Sequence, residues 1–245
     1  MDYGDSPPME IDVILNPAEI ALLPQRDLSS TTCVVFDVLR ATSSMITALA
    51  HGAAEIHPVR TIEEARELKL RLPDALLGGE RQGDPIPGFD LGNSPFEYQE
   101  KAAGRRIICT TTNGTIALRA CELAQRVLVG AILNLRAVAE ELRRSAAEKV
   151  MLICAGTFAD FALEDAWASG ALILKLPAED LSDSARAMAA LAGHCGDPAA
   201  LLRQARNGRA LIAKGREKEV AWCARESEFD LVGEMKSGVI RRLQP

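Results

Sequence analysis

The chain has 245 residues, 48% of them hydrophobic and 25% charged, with a formal net charge of −6. That length and mix exclude a disordered or fibrous chain and describe one large domain that buries a full core without staples. An acidic surplus and only 4% aromatic residues argue against a nucleic-acid partner, which calls for a basic face or stacking rings.

The opening MDYGDSPPMEID has neither the basic n-region nor the apolar h-region of a signal peptide. No stretch approaches 18 apolar residues, so no membrane partner is expected and the protein reads as cytoplasmic. Six cysteines form no CxxC pair and no zinc spacing with histidine, and read as reduced, mostly buried thiols.

Short apolar runs alternate with helical patterns. Ile11–Asn16 and Thr32–Val38 predict strands, and a helix follows the second over Ala41–His51. Ala54–Val59 predicts a strand, and Thr61 with Glu64 forms a capping-box start for the next helix. Ala75–Gly79 predicts a short strand that opens a long loop over 78–95. Strands follow at Arg106–Thr111, Arg126–Gly130 and Lys149–Cys154, with helices at Gly114–Cys121, from Asn134 to about Ser145, and at Asp160–Ile173. From Leu181 the pattern is helical, with breaks at Gly196–Pro198 and Gly215 and a last strand over Val239–Leu243. The sum is an α/β chain: a three-layer α/β/α sandwich around a largely parallel or mixed sheet, a single domain over 1–245 with room for a small helical lobe around 176–215.

One design recurs three times, an apolar strand, a polar loop and a helix start: VVFDVLRATSS, IICTTTNGT and LICAGTFADFALED. Helix N-termini favour anions, and in a parallel sheet such loops meet at the carboxyl edge. In the first, Asp37 and Arg40 read equally well as metal ligand and anion fork or as helix cap and surface partner. In the second, Thr110, Thr111 and Thr112 before Asn113-Gly114 are more polar than a turn requires. In the third, Glu164 and Asp165 lie among apolar neighbours and need a partner or a metal. The long loop adds Glu80, Arg81, Asp90 and Asn93, and ordered loops of this makeup are usually functional. Carboxylates without His or Cys favour Mg²⁺ or Mn²⁺, and Mg²⁺ with arginines suits phosphoryl chemistry.

Several known signatures fail. Asp37 lacks the second Asp two residues on that haloacid-dehalogenase phosphatases use, neither Cys109 nor Cys154 is followed by Arg at Cys-phosphatase spacing, and His51 has no Arg before it. Walker A and GxGxxG are absent.

FDVLRATSS, GGERxGxxxxGFDLGNSP, TTTNGTxA and CAGxxxxFxLED, in that order, resemble the signature blocks of the 2-phosphosulfolactate phosphatase family. The resemblance covers about Val34–Ala171, with a weaker tail match over Asn207–Arg242 that carries Glu219 where relatives tend to carry Asp. It implies an Mg²⁺-dependent phosphatase associated with coenzyme M biosynthesis, acting on a small anionic phosphate ester, and a three-layer α/β/α fold. It places Asp37, Arg40, Thr42, Ser43, Glu80, Arg81, Asp90, Asn93, Asn113, Glu164 and Asp165 on motif positions. Residue chemistry then divides the roles: Asp37, Arg40 and Asn113 catalytic; Thr42, Ser43, Arg81, Asn93, Thr111, Thr112, Gly114 and Gly156 for substrate; Asp37, Glu80, Asp90, Glu164 and Asp165 for Mg²⁺. Arg40 is assigned to the transferring phosphoryl group and Arg81 to the carboxylate or sulfonate. Cys109 competes with Asp37 as nucleophile. The expected reaction is hydrolysis of 2-phospho-3-sulfolactate to 3-sulfolactate and phosphate. The alternatives are the same chemistry on another small phospho-hydroxy acid, or a non-catalytic binder of phosphorylated anions. A homodimer is the default assembly.

Overall fold

The computed structural model describes residues 9–244, so most of the acidic opening lies outside them. In chain order the elements are β1 (Met9–Ile14), α1 (Pro17–Ile20), β2 (Thr31–Phe36), α2 (Ala41–Ala50), β3 (Glu55–Pro58), α3 (Ile62–Arg71), β4 (Leu76–Arg81), β5 (Asp84–Pro85), α4 (Pro95–Lys101), β6 (Arg106–Thr110), α5 (Gly114–Ala120), β7 (Arg126–Gly130), α6 (Leu135–Arg144), β8 (Lys149–Cys154), α7 (Leu163–Ile173), β9 (Ala178–Leu181), α8 (Asp183–His194), α9 (Pro198–Gln204), α10 (Arg206–Ala213), α11 (Glu217–Cys223), β10 (Gly233–Lys236) and β11 (Val239–Arg242).

The strands form one mixed sheet in the order β5-β4-β6-β3-β11-β10-β7-β2-β8-β1-β9. Strands β9, β1, β8, β2 and β7 run parallel, and so do β3, β6 and β4. The antiparallel hairpin β10–β11 joins the two runs, pairing with β7 on one side and, through Ile240 and Ile56, with β3 on the other.

Period-two alternation explains the layers. Along β2, Val34 and Phe36 enter one core, while Cys33 and Val35 enter the other. On β7, Leu128 joins the first and Val127 and Val129 the second. The first core is covered by α6 to α11, the second by α2, α4 and α5. Helices α8 to α10, in the region where a lobe had room to form, place Ala185, Leu202 and Leu211 in that first core. A smaller third cluster packs α3 on β4 and β6. All six cysteines are free, and five of them are buried. Among the described residues no helix is long and apolar enough to cross a membrane.

Thr61 caps α3 as its spacing predicts, with its hydroxyl accepting the Glu64 N–H at 3.0 Å. Several elements differ from the sequence expectation. The short α1 and β5 were not expected, helix α4 occupies Pro95–Lys101, β10 adds a strand before the last one, and β9 runs through Leu181, where the helical pattern was expected to begin. Helix α7 begins at Leu163 rather than Asp160, because Thr157 and Asp160 first pair in a β-bridge.

Candidate active site

The loops after β2, β4, β6 and β8 meet around one cavity, although the β3-β6-β4 run is antiparallel to the other across the hairpin. Adjacent strands rotate by about 20–25°. Over the five steps from β2 to β6 this accumulates to roughly 100–125°, which turns the two sets of carboxyl ends toward each other. The meeting is close: a methyl group added at Gly114, after β6, would lie 2.5 Å from Asp37 Oδ2, after β2. Gly114 is therefore a spacing residue.

Asp37 follows the last residue of β2 and opens on the cavity. Its Oδ1 accepts the Ala41 N–H at 3.1 Å. Burial pushes its carboxyl up to about 7; the Ala41 amide opposes this, and the charges of Glu80 and Glu164 add to it. Thr42 Oγ1 accepts the Asp37 N–H and Ser43 Oγ donates to the Val38 carbonyl, so both hydroxyls fasten the β2–α2 turn instead of facing a ligand. Arg40 lines the cavity at 3% exposure. Its Nη1 pairs with Glu219 of α11, and its Nη2 donates to the Gly83 carbonyl at 3.0 Å.

Glu80 is taken up by the backbone. It accepts the Thr112 N–H at 2.7 Å and the Gly83 N–H at 2.7 Å, tying the tight β4–β5 turn to the loop after β6. Gln82 and Gly83 in that turn both have positive φ, 55° and 81°. Strand β4 runs through Arg81, two residues beyond the expected Gly79. Strand alternation therefore sends Glu80 to the cavity and Arg81 away from it. Arg81 donates to the Glu80 carbonyl and to Thr110 Oγ1 at 2.9 Å, and it does not line the cavity. Asp90 also lies off the cavity, accepting the Leu77 N–H at 2.8 Å.

On the β8 side, Asp165 accepts the Val38 N–H at 2.8 Å and the Gly156 N–H at 3.1 Å, clamping the ends of β2 and β8 together. Burial, then Glu164 and Asp37, push its carboxyl well up. Glu164 Oε1 accepts Asn207 Nδ2 at 2.7 Å, while its buried Oε2 has no hydrogen-bond partner among the described residues. Burial pushes the Glu164 carboxyl up as well. Asn113 Nδ2 donates to the Ala155 and Phe158 carbonyls, and its Oδ1 accepts the Phe158 N–H at 3.2 Å. Thr111 exchanges backbone-to-hydroxyl bonds with Thr115 and stays in the turn, whereas Thr112, Gly156 and Asn93 line the cavity. Asn93 Oδ1 is a second buried atom without a partner.

The remaining wall is helix α10. Arg206, Asn207, Ala210, Leu211 and, just past its end, Lys214 face the cavity, with Thr157 and Phe158 opposite the sheet ends. The four motif blocks did not contain these α10 residues, although the weaker tail match began at Asn207. The available signal was Arg206-Asn207 starting a helix whose polar positions repeat toward Lys214.

Among the described residues no three His, Cys, Asp or Glu side chains converge as a ready metal site. Of the five carboxylates expected to share a cation, Asp37, Glu80, Glu164 and Asp165 lie near enough for charge on one to act on another, but Glu80 and Asp165 accept backbone amides and Asp90 lies off the cavity. The donor chemistry still fits Mg²⁺. That ion takes one or two protein carboxylates and fills its shell with water and phosphate oxygens. Glu164 has an unpaired oxygen, and Asp37 faces uncompensated negative charge.

The family model described as 2-phosphosulpholactate phosphatase matches residues 19–238. A protein of Thermotoga petrophila named "Probable 2-phosphosulfolactate phosphatase" is 40% identical over 90% of this chain and 96% of its own length. Proteins of the same name from Carboxydothermus hydrogenoformans and Deinococcus radiodurans are 41% and 40% identical, over 92% and 89% of this chain and 93% of their own lengths.

Proposed function

The chain belongs to the 2-phosphosulpholactate phosphatase family, and from that premise we propose that it hydrolyses 2-phospho-3-sulfolactate to 3-sulfolactate and phosphate. The observation that carries this reading is Arg40. A guanidinium is always charged, and this one is 97% removed from solvent, since its exposure is 3%, yet it borders the cavity. Its bonds to Glu219 and Gly83 use two of five N–H donors, so a fork remains for phosphoryl oxygens.

The bond between phosphorus and the substrate's C2 oxygen breaks, and water supplies the new oxygen on phosphorus. Arg40 holds the phosphoryl group and stabilises its charge in the transition state. Asp37 stands beside it as attacking carboxylate or as ligand; trapping a phosphoenzyme separates the two. Asn113 keeps the β6 and β8 loops at a fixed spacing. Asp37 and Glu164 would hold Mg²⁺, which when bound withdraws charge from the phosphoryl oxygens. The reaction belongs to coenzyme M biosynthesis in the cytoplasm.

The test is phosphate release from a panel of esters: 2-phospho-3-sulfolactate, other phospho-hydroxy acids and an aryl phosphate, each with Mg²⁺ and with excess chelator. Turnover of the sulfonated ester above the others, lost on chelation, supports the proposal. Turnover of another ester alone reassigns the substrate. Phosphate binding without release from any ester makes the protein a binder.

A further inference from the structure

The proposed substrate carries a carboxylate and a sulfonate besides its phosphate, and the structure leaves Arg81 facing away from the cavity. The way Phe158 is held points to a different residue for that end. Phe158 is an exposed large apolar side chain, 51% accessible, at the cavity wall. It also sits at φ 55°, a left-handed conformation that a bulky residue adopts only when its surroundings impose it. Asn113 imposes it, gripping both the N–H and the carbonyl of Phe158.

What the ring does is support Arg206. The guanidinium lies over it, 5.5 Å from the centroid, a cation–π contact. Arg206 otherwise pairs at 2.7 Å with Asp160, and both side chains are more than half exposed. Such a surface pair contributes little stability and exchanges readily for a stronger anion.

We propose that Arg206, levelled by Phe158, is the specificity-determining residue that takes the carboxylate or sulfonate of the substrate, with Asp160 as its partner when the cavity is empty. The inference rests on the phosphatase reading above. A planar fork matches either oxyanion in two-point contact, and the apolar ring beneath it keeps water from the lower face. Arg40 then reads the reacting end and Arg206 the other, so substrates without a second anion are held at one end only.

The experiment has two arms on the full chain. In the first, calorimetry measures 3-sulfolactate and inorganic phosphate binding to wild type, R206A, R206K and F158A. Sulfolactate affinity should fall at least tenfold in R206A, and by less in R206K and F158A, while phosphate affinity moves far less. In the second, wild type is assayed on the sulfonated ester and on an aryl phosphate. Equal sulfolactate binding by wild type and R206A, or none by wild type, overturns the clamp. So does a loss that is the same for phosphate and sulfolactate. If sulfolactate binding follows Arg206 but no ester is hydrolysed, the clamp stands and the phosphatase reading fails.

Discussion

Arg40 and Glu219 are 179 positions apart, and they form an ion pair in which the arginine is 3% and the glutamate 12% exposed. The pair fixes a guanidinium at the cavity. Removing one partner of a buried pair leaves an uncompensated charge and costs about 3–5 kcal/mol. E219A should lower stability by that order and reduce kcat, because Arg40 loses its aim. E219D, shorter by one methylene, should restore part of both. Thermal unfolding alongside steady-state kinetics checks this; a kcat that stays at the wild-type level in a folded E219A would show that Glu219 only supports the fold.

Arg40→Lys keeps the charge and loses the planar fork. It should lower kcat on all phosphate esters. Arg81→Lys should instead lower the melting temperature, since it breaks the bonds to Thr110 and the Glu80 carbonyl. A KM defect confined to Arg81→Lys on the sulfonated ester would return Arg81 to the substrate.

Asp37→Asn should remove turnover by on the order of 10³-fold or more while leaving the chain folded. Its carboxyl is raised from 3.8 to about 7 in the folded protein. A raised carboxyl favours folding at low pH and loses that contribution as pH climbs through about 7. In chelator, the wild type should therefore lose stability relative to Asp37→Asn between about pH 4 and pH 7, and level off above that. Mg²⁺ should narrow the gap at pH 8 by stabilising the wild type. Melting curves across pH, with and without Mg²⁺, report both effects; parallel curves for the two proteins would leave Asp37 without an altered carboxyl.

Gly114→Ala puts a methyl 2.5 Å from Asp37 Oδ2 and 2.8 Å from Ala41 Cβ. The carboxylate and the start of α2 must shift, at a cost of about 1–3 kcal/mol. Activity should fall further than stability, because the displaced group is Asp37. A crystal structure of the variant would show the displacement directly.

Cys109→Ser should keep most of the turnover. Burial pushes the thiol up to about 12, with the Tyr98 hydroxyl 3.7 Å away pulling weakly the other way. A thiol so raised carries almost no thiolate at neutral pH and is not a nucleophile. Loss of activity in a folded Cys109→Ser protein would reverse that view.

The strand-loop-helix blocks around Asp37, Asn113 and Glu164 were legible because apolar runs and helix starts are local signals. The four residues Gly233–Lys236 were not, since GEMK has no strand character of its own and becomes β10 only by pairing with β7 and β11. Helix α4 did announce itself, with Ser94 before Pro95 at the first helical position, but the Gly/Pro-rich stretch ahead of it masked the signal. The role of Arg81 turned on the strand running on through it, because alternation then sends the neighbours Glu80 and Arg81 to opposite faces. The wall from α10 is a tertiary fact: nothing within Arg206–Lys214 states that it faces β2 and β8.

The hairpin β10–β11 bears on how the protein is made. Every cavity residue from Asp37 to Lys214 precedes it in the chain. Yet among the described strands it alone links the run bearing Asp37 to the run bearing Glu80 and Thr112. On the ribosome, a nascent chain displaying all its binding groups still holds two unjoined half-sheets with open edges, the kind of surface that chaperones cover. The join between the strand runs arrives last, with the emergence of residues 233–242, and a polypeptide cut short before them would carry every chemical group without the hairpin that makes one sheet of the two halves.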